Sequence, residues 1–168
     1  CFAVLLTRAV TESTSVTVHA SNAEAAVSAA FAALSANSDA IWTDEGKSDA
    51  LSRLADAWDG ERMDGLLLIV PRERAFQHSG KGDFFLDDES RLIRRGYHDS
   101  APWIYTGNQL ISHRLIREAP DGPFSTNFFW DRAIAEGRLF GLVHQGDWYD
   151  IGSPQAIAPT EAALAVHG

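Results

Sequence analysis

Cysteine is nearly missing from this chain: Cys1 is the only one, so no intrachain disulfide can form, and a reducing, cytoplasmic setting is expected. Lysine is almost as scarce, with Lys47 and Lys81 alone, and 14 basic side chains face 23 acidic ones. The net charge of -9 argues against a phosphate-backbone footprint and against adhesion to an anionic membrane, so neither nucleic acid nor membrane is expected as a partner. No apolar run approaches the ~20 residues of a membrane span, and residues 1–6 are too short for a secretory signal and lack its flanks. Zinc-binding patterns are missing too. The six histidines, at 19, 78, 98, 113, 144 and 167, have neither i, i+4 spacing nor paired cysteines, so they read as ordinary surface or strand residues and no structural zinc is expected. No serine sits in a Gly-x-Ser-x-Gly elbow, which leaves a hydrolase triad without its anchor.

What is present is a globular composition, 45% hydrophobic and 22% charged over 168 residues. A chain of that length buries roughly two-thirds of its unfolded surface around one core, so a single domain over 1–168 is expected. Its N-terminal part reads as incomplete. Residues 14–19 have the pattern of a strand and 22–34 that of an amphipathic helix, with little turn chemistry between them. Ser48 is placed to cap a helix through Trp58 that aligns Leu51, Leu54, Ala55 and Trp58 on one face. The apolar run 65–70, closed by Pro71, predicts a strand buried on both faces at the centre of a mainly parallel sheet. Residues 83–86 and 91–93 flank an acidic turn, Asp87-Asp88-Glu89-Ser90, and predict a hairpin. A strand over 102–111 contains Gly107, and an interior glycine marks a bulge or the close approach of another group.

Ser125 or Thr126 would cap a helix that runs to Glu136 and is stopped by Gly137; Phe124, Phe128, Phe129 and Trp130 then pack in the core. A strand follows over 139–144, and a short one ends at Asp150. Ser153 and Pro154 then open a last helix to about Val166. Alternating strands and helices predict an α/β doubly wound fold with helices flanking the sheet.

Two aspartates stand out. Asp150 closes an apolar strand and is followed at once by a Gly-Ser-Pro helix start, which places a carboxylate on a turn over a sheet edge. Asp39, in Asn37-Ser38-Asp39-Ala40-Ile41-Trp42, sits where a strand would finish, so in a parallel sheet both would reach the crevice over the strand ends. Two carboxylates from different strands suit Mg²⁺ when substrate phosphates supply the remaining oxygens. The plain alternative is that both aspartates cap turns, a common role for the residue.

Five segments in order resemble the sugar-phosphate nucleotidyltransferases: NSDAIWTD (37–44), LLLIVPRERAFQHSGKGDFFLD (66–87), YTGNQLIS (105–112), FSTNFFWDRAIAEGRLFG (124–141) and WYDIGSPQAI (148–157). The similarity covers about residues 37–160 and includes bacterial N-acetylmuramate-1-phosphate uridylyltransferases, which serve the cell wall, and mannose-1-phosphate guanylyltransferase-like proteins. It implies a Rossmann-like nucleotidyltransferase fold. It also implies Mg²⁺-dependent transfer of a nucleotidyl group, uridylyl favoured over guanylyl, from a nucleoside triphosphate to a sugar 1-phosphate. A monomer or homodimer is expected.

Matched to the family residue by residue, Asp39 and Asp150 would be the metal-binding pair. Gly107 would let the sugar ring approach, with Thr106 and Asn108 beside it; Asn37 and Asp83 would also line the substrate, and so would Trp148 beside the proposed metal aspartate, with packing at a strand end as its equal alternative. Lys81, in GKGDF, would meet phosphate as a point charge; the alternative there is a solvated loop lysine. The chain departs from the family in one feature. These 168 residues contain no glycine-rich loop with an arginine and a downstream Pro-Lys, the segment that holds the triphosphate. That departure keeps open a catalytically silent sugar-nucleotide-binding subunit. A glycosyltransferase of related fold is a further alternative, weakened because Asp39 is not in an Asp-x-Asp pattern.

Overall fold

The computed structural model describes residues 32–35, 39–44, 48–120 and 124–167. The predicted strand at 14–19 and residues 22–31 of the predicted helix lie outside them. The end of that helix is corrected: Ala32–Ser35 is a strand, β1. Alanine favours helix, but here the backbone groups pair antiparallel with a longer strand, and tertiary pairing overrides the propensity.

After β1 come β2 (Ala40–Trp42), α1 (Ala50–Asp56), β3 (Gly65–Pro71) and β4 (Ala75–Phe76). The hairpin strands β5 (Phe84–Leu86) and β6 (Leu92–Arg94) precede the long β7 (Trp103–Ser112). Then follow α2 (His113–Arg117), α3 (Asn127–Ala135), β8 (Leu139–Val143), β9 (Trp148–Asp150) and α4 (Pro154–His167). Among the described residues no helix is long and apolar enough to cross a membrane.

The larger sheet runs β6-β5-β7-β3-β8, with β1 also on β7; a second sheet runs β2-β9-β4. These sheets are mixed, which corrects the expectation of a mainly parallel one. β3 is parallel to β8, but β7 is antiparallel to β1, β3 and β5. In the second sheet β2 is antiparallel and β4 parallel to β9. The hairpin reverses the chain between β3 and β7, so β7 returns against β3 without the helical crossover a parallel pair requires.

The apolar run of β3 was silent on this point, because burial on both faces needs only a cover on each. Leu67 and Ile69 pack with Ile111, Phe129, Trp130 and Leu139 on the α3 side. Leu66 and Leu68 pack with Ala50, Leu54, Leu110 and Phe140 on the α1 side. The two-residue period of the strand thus feeds two cores, and the predicted aromatic packing of α3 is observed.

Local signals held with small shifts. Asp49, not Ser48, caps α1: its Oδ1 accepts the Ser52 amide at 2.9 Å, and the Ser52 backbone and side-chain hydrogen bonds hold its carboxyl below the usual range. The acidic hairpin turn forms around Asp87, whose Oδ1 accepts the Glu89 and Arg91 amides. Gly137 ends the α3 segment at φ 66, and Pro154 opens α4. Within β7, Gln109 pairs with Leu67 and Tyr105 with Ile69, so β7 bulges across Thr106-Gly107-Asn108, with Gly107 at φ 93.

Gly82 is another demanding glycine. It has φ 87, and a Cβ there would lie 1.9 Å from the Ala101 carbonyl oxygen, which is backbone and cannot swing aside. Gly82→Ala is therefore expected to lower unfolding free energy by at least about 1 kcal/mol from the φ alone, with the collision adding to it. Denaturant melts of the two proteins check this; equal midpoints would refute it.

Candidate functional site

The site is built on the antiparallel ribbon of β2 and β9. Ala40 pairs with Asp150, Ile41 with Tyr149 and Trp42 with Trp148, and the Ile151 amide donates to the Asp39 carbonyl at 2.9 Å. The start of one strand therefore meets the end of the other. Asp39 opens β2 instead of finishing a strand as expected, and antiparallel pairing is what delivers it to Asp150.

Both carboxylates face Gly152. A side-chain carbon on that glycine would stand 3.2 Å from Asp150 Oδ1 and 3.7 Å from Asp39 Oδ2. That position therefore has one oxygen of each carboxylate as a near neighbour, and oxygen is the donor type a hard cation such as Mg²⁺ takes. Asp39 is exposed, the Asp150 side chain is 33% exposed, and neither is sealed from substrate or water. Among the described residues no group of three or more His, Cys, Asp or Glu surrounds one point. Two carboxylates with the remaining positions left to water and phosphate fit Mg²⁺ better than a closed zinc or calcium cage.

Turn capping accounts for only part of this arrangement. Asp150 Oδ1 does accept the Gly152 amide at 3.1 Å, whereas the Asp39 side chain has no partner among the described residues.

A histidine joins them. The Nδ1 of His78 lies 2.9 Å from Asp150 Oδ2, and its ring meets Trp148 edge-on at 5.6 Å. His78 had read as an ordinary histidine, since its 72-residue separation from Asp150 obeys no local spacing rule.

The expected sugar-side residues are placed as follows. Trp148 is buried, and its Nε1 donates to the Thr106 carbonyl at 3.0 Å, tying the ribbon to the β7 bulge. The Thr106 hydroxyl donates to the Leu68 carbonyl, and Asn108 Nδ2 reaches the Thr106 hydroxyl at 3.4 Å. Asn108 is 1% exposed, and its Oδ1 is buried with no hydrogen-bond partner among the described residues. A buried acceptor left unmatched costs about 1–3 kcal/mol, so its presence calls for an explanation.

Asp83 spends its Oδ2 on the Tyr105 amide at 2.9 Å, which fixes the GKGDF loop to β7. Lys81 is exposed, and its carbonyl accepts the Ala101 amide. Asn37 lies outside the described residues.

Beside the ribbon, His144 is buried, and its Nδ1 accepts from Arg53 Nη2 at 3.3 Å. Burial, with the positive Arg53 adding to it and Asp44 opposing, lowers its pKa from the ordinary 6.5. The folded state thus binds this proton less readily than the unfolded state. Stability from neutral His144 is full above pH 6.5 and is lost as pH falls below it. Denaturant unfolding at pH 7.5 and 5.5 is expected to show a loss in wild type and a smaller loss in His144→Leu. An equal loss in both would show that His144 does not set this window.

No protein-family model matches the chain. In sequence it is 35% identical over 130 residues to N-acetylmuramate alpha-1-phosphate uridylyltransferase of Caulobacter vibrioides; the match covers 77% of this chain and 53% of the relative, so the chain spans about half of that relative's length. Among solved structures, a Bacillus anthracis protein described as a glucose-1-phosphate thymidylyltransferase, in complex with a sucrose, superposes with a TM-score of 0.58 at 15% identity. It covers 80% of this chain and 55% of that one. The inositol-1-phosphate CTP transferase of T. maritima gives 0.53 at 14% identity over 80% and 54%. At such identities the structural likeness establishes a shared fold.

Proposed function

We infer that this chain, a relative of the sugar-phosphate nucleotidyltransferases in sequence and in fold, acts in Mg²⁺-dependent transfer of a nucleotidyl group to a sugar 1-phosphate. UTP is the favoured donor, on the strength of the uridylyltransferase relative, with GTP second. The observation that carries this reading is the pair of carboxylates, Asp39 and Asp150, brought from opposite ends of the chain to one bare glycine.

In this reading Asp39 and Asp150 hold the cation, and Gly152 leaves room for it. Bound there, Mg²⁺ supplies charge neutralisation and alignment at the α-phosphate. A sugar-phosphate oxygen forms the new bond to the α-phosphorus, the bond to the β-phosphate bridging oxygen breaks, and pyrophosphate leaves. No protein nucleophile is required.

Gly107 admits the sugar close to the backbone. Because its hydroxyl is committed to Leu68 and its carbonyl to Trp148, Thr106 serves as scaffold, and the unmatched Asn108 Oδ1 is the acceptor for a sugar hydroxyl. Trp148 holds the bulge against the ribbon, Asp83 holds the neighbouring loop, and Lys81 and Asn37 meet phosphate and sugar.

The test is incubation with Mg²⁺, UTP or GTP, and a panel of sugar 1-phosphates, with pyrophosphate as the readout. Release that depends on both substrates and stops with EDTA is expected; release with no pair would refute the transferase reading. Calorimetric binding of sugar 1-phosphate without release would instead favour the silent binding subunit.

A further inference from the structure

We propose that His78 is a positioning residue that fixes the Asp150 carboxylate for cation binding, an inference that rests on the reading of Asp150 as a metal ligand. Three features of the backbone aim the imidazole. β4 runs parallel to β9 with Ala75 level with Trp148 and Phe76 level with Tyr149, so the residue after Phe76 comes level with Asp150. That residue, Gln77, has φ 62, a left-handed conformation uncommon outside glycine. The chain turns there, and His78, not Gln77, reaches the carboxylate.

The loop then passes beneath the ring at Gly80, where a Cβ would lie 2.1 Å from His78 Nε2. Only a bare backbone leaves the imidazole its place. Trp148 meets the same ring edge-on, at 5.6 Å and 69°. Strained backbone, an adjacent glycine and an aromatic wall together over-determine one rotamer, the condition under which a non-glycine residue persists in such a conformation.

The consequence falls on Asp150. Its Oδ2 accepts from His78 Nδ1 and its Oδ1 from the Gly152 amide, so both oxygens are held and the broad terminal torsion of the side chain is stopped. Each carboxylate oxygen offers two acceptor positions, which leaves one on each for a cation or its water. A carboxylate fixed beforehand does not lose that torsional freedom when the cation arrives. Outer hydrogen bonds to metal-binding groups typically account for about 10–100-fold in affinity.

Mn²⁺ titrations of the full chain followed by electron paramagnetic resonance test this without any turnover. Wild type is expected to bind, Asp150→Asn to lose binding, and His78→Ala to bind roughly 10–100-fold more weakly with an unchanged melting temperature. His78→Asn, which keeps an N–H close to the Nδ1 position, is expected to recover most of the affinity. His78→Ala binding within about twofold of a wild type that does bind would overturn the role of His78 and leave the metal reading standing. Failure of His78→Asn to recover anything would assign the ring to packing and overturn it as well. Binding unaffected by Asp150→Asn, or no binding by wild type, would overturn both readings together.

Discussion

Asp150→Asn is expected to lower pyrophosphate release by about 10³-fold or more, because a carboxylate holding the cation contributes several kcal/mol of charge stabilisation at the transferring phosphate. Asparagine keeps the shape, and the damage comes from two sources. One is the lost charge. The other is that Asp150 presents acceptors to two donors, His78 Nδ1 and the Gly152 amide. An amide has one oxygen for the pair, so one donor faces an NH₂ group and the side chain turns. Asp39→Asn suffers only the first loss, since no described residue bonds its side chain. Both single variants are expected to be nearly inactive, with the double variant little worse, as befits two groups acting on one ion.

Neither substitution is expected to destabilise the fold by more than about 1 kcal/mol, because Asp39 is exposed and the Asp150 side chain 33% exposed, so water reaches the groups left behind. Pyrophosphate assays with parallel melts separate the cases: activity unchanged in both variants would defeat the metal assignment, and inactive but unfolded protein would make it a stability effect.

The pairing of Asp39 with Asp150 shows what sequence could and could not tell. Both residues stand out in motifs in family order, and the fold sets them at adjoining strand ends beside one glycine, by a route the motifs do not reveal. A parallel sheet was expected because the 65–70 run is apolar throughout, and that pattern reports burial on two faces without naming the direction of the neighbours. β7 runs antiparallel to β3, and an antiparallel ribbon brings the aspartates together. Gly107 was legible because a glycine interrupting a strand has few other uses, and its φ of 93 in the bulge is the result.

The Ala32–Ser35 strand was misread because alanine speaks for helix locally while its ladder partner lies more than seventy residues away. His78 was missed for a related reason. Its role depends on the turn at Gln77, the bare Gly80 and a strand register, none of which spacing rules capture.

Asp64→Ala is expected to remove about 1–3 kcal/mol of stability, the range seen when hydrogen bonds involving a charged group are lost. Asp64 is 2% exposed and stands just before β3. Its Oδ1 accepts from the Ser112 hydroxyl at 2.9 Å and from Arg114 Nε at 3.1 Å, while its Oδ2 takes Arg114 Nη2 and Arg138 Nε. Its backbone bonds the Arg138 carbonyl and the Ser112 amide.

One residue thus ties the start of β3 to the end of β7 and to the approach to β8. Removing it leaves two guanidinium groups and a hydroxyl around an emptied space. Arg114 retains Glu136 at 2.7 Å, and Arg138 retains the Glu61 carbonyl at 2.8 Å, so either arginine alone should be cheaper to lose than their shared carboxylate. The surface pair of Arg94 and Asp131, with Asp131 66% exposed, sets the contrast at about 0–1 kcal/mol. For a chain of this size the Asp64→Ala loss corresponds to about 2–12 °C in melting temperature.

The pH dependence carries its own sign. Burial raises the Asp64 carboxyl, but hydrogen bonds from Arg114, Arg138 and Ser112 outweigh it and hold the group below its ordinary 3.8. The stabilisation is therefore complete above that value and is lost as pH falls through it toward the folded pKa. Acid unfolding of wild type should steepen below about pH 4, well separated from the His144 window, and the steepening should be smaller in Asp64→Ala, where Asp49, also held below its ordinary value, keeps a share. A melt of Asp64→Ala within a degree of wild type would mean that the neighbouring carboxylates had taken over both arginines.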